Sequence, residues 1–98
     1  MRLRLSTLAP GVHLVRVLVG DGPEYDRMIV VTELDDGRVL FLQGWIGRPL
    51  SPAEWRAARD EYFPRARWVM FRRGWGAGER LVVLGLARRR ARDDRLRR

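Results

Sequence analysis

Two segments near the start of the chain have the apolar patterning of β-strands. Residues 12–19 are apolar on both alternating faces, which is typical of a strand covered on two sides. Residues 27–34 alternate more clearly, with Met28 and Val30 on one face and the charged Arg27 and Glu33 on the other. Turn-forming residues separate the two segments, so the pattern predicts two strands.

A β-hairpin is predicted directly after the second strand. The sequence Asp35-Asp36-Gly37 separates that strand from a third apolar segment, residues 38–43. A three-residue loop with glycine at its left-handed position is a favoured connection between antiparallel strands. The third segment is therefore predicted to pair with the second.

A helix is predicted from Ser51 to about Phe63. Ser51 is a hydroxyl N-cap, Pro52 occupies the first helical position, and Glu54 completes a capping box. The helix is expected to stop before Pro64, because proline disfavours helical conformation in the residue that precedes it. Helical spacing gives one apolar face, formed by Trp55, Ala58 and Tyr62.

Two further strands are predicted after the helix, over residues 67–72 and 81–86, with a glycine-rich loop between them. Residues 2–8 are the candidate for an additional edge strand. The order β-β-β-α-β-β predicts an α+β fold, in which a small antiparallel sheet of about five strands carries one helix packed on one face.

Composition adds a strong positive charge that is unevenly distributed. The net charge is +8, all 20 basic residues are arginines, and seven of them lie in residues 88–98 beside only two acids. That segment has too few apolar residues to form a core. The predicted organisation is a single α+β domain over residues 1–87 and an arginine-rich C-terminal tail over residues 88–98. With no apolar run long enough for a signal peptide or membrane span, we expect a soluble cytoplasmic protein without membrane contact.

No catalytic residue, metal or cofactor is expected, so the protein is not predicted to be an enzyme. The absence of cysteine and lysine excludes disulfides, thiolate metal sites and lysine-dependent catalysis. The only histidine, His13, lies in an apolar strand, where a hydrogen-bonded structural role is usual. Glu33, Asp35 and Asp36 cluster at the hairpin, where three carboxylates could bind magnesium. The turn explains the two aspartates without a metal, because it favours aspartate before glycine.

The glycine-rich loop matches a short phosphate-binding pattern. Residues 73–78 have the form Arg-x-x-Gly-x-Gly, with which acyl-CoA acetyltransferases hold a pyrophosphate between a strand and a helix. Here Val82 and Val83 follow the loop and favour a strand. An acyl-CoA-type transferase is therefore a third hypothesis, which depends on whether Gly76 to Gly78 precede a helix.

Tryptophans and arginines supply the candidate binding residues. Trp45 and Trp75 stand beside glycines, whereas Trp55 and Trp68 lie in predicted elements and are expected in the core. Aromatic side chains near arginines can stack unpaired bases while the arginines neutralise phosphates. The alternative is that the two loop indoles fold back over the sheet. The candidate nucleic-acid-binding residues are Arg72, Arg73, Trp75, Arg88, Arg89, Arg90 and Arg92.

The favoured function is nucleic-acid binding, to DNA or RNA, mainly through backbone phosphates. Guanidinium groups pair bidentately with phosphate, and the basic groups are all guanidinium. The alternative is a small protein-interaction factor, such as a phage or mobile-element accessory or inhibitor protein that blocks a partner's surface. Nucleic-acid binding predicts a steep salt dependence from counterion release, whereas a protein interface anchored by tryptophan predicts a weak one.

Overall fold

The computed structural model of the protein describes residues 1–74 and 76–86. Its elements, in chain order, are β1 (Arg2–Ala9), β2 (Val12–Leu18), β3 (Tyr25–Leu34), β4 (Val39–Ile46), α1 (Pro52–Tyr62), β5 (Trp68–Arg73) and β6 (Arg80–Gly85), with a short 3₁₀ turn at Gly76–Gly78. The predicted α+β class is confirmed, and the candidate edge strand at the start of the chain is present as β1. The predicted tail lies outside the described residues.

The six strands form one sheet in the order β1-β2-β3-β4-β5-β6. Every neighbouring pair is antiparallel except β4 and β5, which run parallel with Val39 opposite Trp68 and Phe41 opposite Met70. The prediction of an antiparallel sheet of about five strands is therefore roughly right: the candidate edge strand makes the sixth strand, and the parallel pair β4–β5 is the departure from it. The connection through α1 returns the chain to the starting end of β4, and a parallel pair needs such a crossover.

The core lies between α1 and one face of the sheet. Alternate residues of the strands point into it, and they pack against Trp55 and Ala58 of the helix and against Phe63 just beyond it. Its fully buried strand residues include Val15, Ile29, Val31, Leu40 and Val69. The predicted core position of Trp55 is confirmed, since only 3% of this residue is exposed.

The ends of α1 and the β3–β4 hairpin follow the local signals in the sequence. Ser51 Oγ accepts a hydrogen bond from the Glu54 amide at 3.1 Å, and the Ser51 amide donates to Glu54 Oε1 at 3.0 Å, which completes the capping box. The predicted hairpin is present, but its loop has four residues, 35–38, and not three, because β4 begins at Val39. Gly37 is left-handed as predicted, with a φ of 84°, and so are Asp35 and Asp36 at 50° and 56°. α1 has 11 residues, and the described part of the chain contains no helix suited to spanning a membrane.

A buried ion pair fixes α1 to β3. Nη1 and Nη2 of Arg27 donate to Oε1 and Oε2 of Glu54 at 3.0 and 2.9 Å. Arg27 lies on the core face of β3 beside Ile29, so this charged residue does not mark the solvent face. Hydrogen bonds from Arg27 and from the Ser51 amide hold the pKa of Glu54 at about 2, well below its ordinary value of 4.5. The pair therefore contributes to stability only while Glu54 is ionised.

A candidate nucleic-acid interface on the open face of the sheet

The sheet has a second face, opposite α1, that no described element covers. We call it the open face and define it by the strand residues whose cross-strand pairing places them on that side. Most of these residues are half-buried by one another or exposed, in contrast to Val31 on the core face. They are Arg2, Arg4, Ser6, Ala9, Val12, Leu14, Arg16, Leu18, Tyr25, Met28, Val30, Thr32, Leu34, Val39, Phe41, Gln43, Ile46, Trp68, Met70, Arg72, Leu81, Val83 and Gly85.

The ionised side chains that the described register places on this face are all arginines. Arg4 and Arg16 are directly opposite each other on β1 and β2, and Arg72 lies near the end of β5. Of the two acids in the strands, Glu33 lies on the helix side, and Asp26 is unpaired in a bulge with its carboxylate 3.7 Å from Arg27. The acid near this face is Glu79 of the β5–β6 connection, 3.6 Å from Arg72. Like charges opposite each other in a sheet repel, so this arrangement favours a bound anion.

Two arginines of the open face lie over aromatic rings. The guanidinium carbon of Arg16 is 5.4 Å from the centre of the Tyr25 ring, and that of Arg72 is 6.0 Å from the centre of the Phe41 ring. Arg16 also donates to Ser6 Oγ at 3.3 Å, and Arg72 Nε is 3.6 Å from Glu79. These weak contacts orient the two guanidinium groups and leave hydrogen-bond donors available to a ligand.

Trp68 is part of the open face, so its predicted place in the core is wrong. It is 48% exposed and stands opposite Gly85 of the edge strand β6. A Cβ added to Gly85 would be 3.3 Å from Cζ3 of the indole, so the ring lies close against the backbone of β6 and would have to shift slightly for a larger residue. Phe71, the other aromatic residue of β5, points to the opposite face and packs on the core side.

An arginine-lined cleft of about 750 Å³ adjoins Trp68 at the same end of the sheet. Arg59 is buried there and donates to the Leu86 carbonyl and to Asp60, so its role is structural: it links α1 to the residue that follows β6. The other three arginines of the lining are exposed. They are Arg38, Arg65 and Arg67.

The ion pairs of the cleft are open to water. Arg65 is 2.9 Å from Asp36, and Arg38 is 3.5 Å from Asp35, with both partners of each pair at least half exposed. Such pairs add little free energy, so a phosphate can replace the carboxylate at small cost. The cleft is therefore suited to binding an anion beside the indole.

The remaining candidate chemistry is accounted for by structural contacts. His13 Nε2 lies 2.8 Å from Glu33 Oε2, and Nδ1 lies 3.0 Å from Thr7 Oγ1, so the ring links β1, β2 and β3. The acidic cluster of the hairpin is divided among separate partners, because Glu33 contacts His13 while Asp35 and Asp36 pair with arginines. The described residues contain no group of three or more side chains suited to holding a metal.

The structure does not support the pyrophosphate-binding hypothesis for Gly76–Gly78 or the base-stacking hypothesis for Trp45. Gly76–Gly78 form a 3₁₀ turn that is followed by strand β6, so the helix that a pyrophosphate-binding loop requires is not there. Trp45 is 36% exposed and meets Phe71 edge-on, with 5.3 Å between ring centres. Trp45 belongs to β4, so its expected place in a loop is wrong, and its indole packs on an aromatic ring of the sheet, in line with the alternative to base stacking.

The structure brings only part of the predicted binding set together. Arg72 lies on the open face, and Arg73 is opposite Arg80 where β5 and β6 meet their connecting loop. Trp75, Arg88, Arg89, Arg90 and Arg92 lie outside the described residues. Sequence reasoning missed four residues of this face, namely Arg4, Arg16, Phe41 and Trp68. The alternating Arg-Leu-Arg-Leu at residues 2–5 was the available signal for an arginine-bearing strand face.

In comparisons with known proteins, no family model, curated protein or solved structure matches the chain.

Proposed function

We propose that the protein is a nucleic-acid-binding protein, not an enzyme, and that arginine contacts to backbone phosphates provide most of its affinity. The observation that carries the proposal is the charge of the open face, where Arg4 and Arg16 stand opposite each other without an acid among the paired residues. A polyanion relieves the repulsion between them and accepts bidentate hydrogen bonds from each guanidinium.

The extent of the face supports a polymeric ligand. Arg4 and Arg16 lie on the first two strands and Arg72 lies on the fifth, so the cations are spread across the sheet. Separated phosphates along one backbone can meet separated guanidinium groups, whereas a single small anion can meet only one cluster. The arginine-rich segment after Leu86 adds further positive charge to the same chain.

The experiment is a salt titration of affinity with a charge-matched control. Arg4→Gln combined with Arg16→Gln removes two candidate phosphate contacts, so the slope of log affinity against log salt should become shallower by about 1.4 for a single strand and about 1.8 for a duplex. Arg48→Gln combined with Arg56→Gln removes the same charge from α1 and the connection that precedes it, and should leave the slope nearly unchanged.

The two double variants separate a local effect from one of net charge. Equal slopes in both would mean that the open face has no special part in binding. Failure of the parent protein to bind either polymer at low ionic strength would contradict nucleic-acid binding itself.

A protein-interaction factor is the second candidate, and the edge strand β6 favours it. Leu81 and Val83 are each 52% exposed there, and the outer edge of β6 has no partner strand among the described residues. Such an edge can accept an extended segment of another protein by strand addition. Binding of this kind would depend only weakly on salt, so the same titration separates the two functions.

A further inference from the structure

We infer that the Trp68 end of the open face binds an unpaired base of a single-stranded nucleic acid, with the base stacked on the indole and its flanking phosphates held by the arginines of the adjoining cleft. This inference rests on the proposed function and specifies which form of nucleic acid is preferred. Its basis is the position of a half-exposed tryptophan beside three exposed arginines.

The indole is placed as a stacking surface. Trp68 belongs to a regular strand and lies against the backbone at Gly85, so its ring is held in place while much of it remains in contact with water. An exposed indole in a strand costs solvation that a smaller or polar residue would avoid. A base stacked on the ring removes that cost, and it does so for any base because each has an aromatic face.

The neighbouring charges fit phosphates on either side of such a base. Arg67 directly precedes Trp68 in the chain, and its amide donates to the Arg38 carbonyl at 2.7 Å, which keeps these two arginines side by side. Arg65 lies in the same lining. The solvent-exposed aspartates that pair with Arg38 and Arg65 can exchange for phosphate oxygens.

The geometry distinguishes single strands from duplexes. In a duplex the faces of the bases are stacked on one another, and only phosphates and base edges reach the surface. Arginines alone would bind both forms, whereas the Trp68 indole adds affinity only when a base is free to leave the stack. Removing the indole should therefore affect single strands selectively.

The test compares affinity for one oligonucleotide, as a single strand and as its duplex, at a fixed salt concentration. Trp68→Ala should weaken single-strand binding by roughly 5- to 150-fold, the range expected for one stacked base, and should change duplex binding less than about twofold. Trp68→Phe should retain most of the single-strand affinity. Leu81→Ala is the matched control, because it removes another half-exposed apolar side chain from the same face.

A second variant tests whether the arginines of the cleft contact phosphates, and it keeps Trp68 unchanged. Combining Arg38→Gln, Arg65→Gln and Arg67→Gln should reduce the single-strand salt slope by about 2. A nucleoside monophosphate should bind far more weakly than the oligonucleotide, since it offers one base and one phosphate.

The outcomes separate this inference from the proposed function. If the parent protein binds nucleic acid but Trp68→Ala weakens both forms equally, or neither, the stacking site is wrong and the phosphate-binding function stands. If a mononucleotide binds as tightly as the oligonucleotide, the site serves a free nucleotide and the inference of a strand is wrong. If the parent binds no nucleic acid, both fail together.

Discussion

Replacing Glu54 with glutamine should destabilise the protein in a way that disappears at low pH. The substitution keeps the shape of the side chain and its ability to complete the capping box with Ser51, because glutamine also serves at that position. What it removes is the negative charge that two nitrogens of Arg27 contact at 3.0 and 2.9 Å. Arg27 is buried, and its Nε finds no hydrogen-bond partner among the described residues. The variant therefore leaves the buried Arg27 without its hydrogen-bonded counterion, with only the exposed carboxylate of Asp26 still nearby at 3.7 Å.

The expected loss follows from the pKa of Glu54. A pKa of about 2, against an ordinary value of 4.5, is equivalent to about 3 kcal/mol of stabilisation when Glu54 is fully ionised. The carboxylate keeps some contact with water, its side chain being 27% exposed, so screening reduces this to about 2 kcal/mol. Because the pKa is lower in the folded state, the contribution is complete above pH 4.5 and is lost as the pH falls from there towards 2.

Urea unfolding followed by tryptophan fluorescence measures the effect, since Trp55 is buried in α1 beside the ion pair. The parent should be about 2 kcal/mol more stable than Glu54→Gln at neutral pH, and the two should converge as Glu54 of the parent becomes protonated. Glu24→Gln is the control, because Glu24 is an exposed acid in the β2–β3 connection. A difference between parent and Glu54→Gln that stays constant from neutral to acid pH would refute the ion pair as its source.

Three further predictions concern the helix, the core and the tail. Ser51→Ala should lower the free energy of unfolding by about 1 kcal/mol, because the Glu54 amide loses its acceptor; an unchanged melting temperature would contradict this. Trp55→Ala should cost about 3–5 kcal/mol in a urea titration, whereas Trp68→Ala should cost far less, and equal losses would place both indoles in the core. Deleting residues 88–98 should leave the melting temperature almost unchanged, and a truncated protein that unfolds would contradict this. If five phosphate contacts are lost, the salt slope should decrease by about 3.5 for single strands and about 4.5 for duplexes.

The features that were predicted correctly have signals within a few residues of one another. Ser51, Pro52 and Glu54 lie within four consecutive residues and determine the start of α1 without reference to the rest of the fold. The same holds for the hairpin between β3 and β4, whose turn is formed by left-handed Asp35, Asp36 and Gly37. Local chemistry of this kind is sufficient to place an element.

The features that were missed depend on contacts between distant segments. Trp68 begins a strand in which both alternating faces are apolar, so the sequence alone does not show which face meets the helix. Arg27 reads as a solvent-facing residue until Glu54, on another element, is brought against it. The parallel pairing of β4 with β5 depends on the path of the chain through α1, which no residue pattern within either strand records.

The sequential order of the sheet has a consequence for how quickly the chain can fold. Because every strand pairs with its neighbour in the sequence, most pairings close short loops, and the entropy lost in bringing the strands together is small. The parallel pair is the exception, since Val39 and Trp68 meet only after the whole α1 crossover has formed. The first four strands can therefore assemble by successive hairpins, and we expect docking of β5 through the crossover to be slower than these steps.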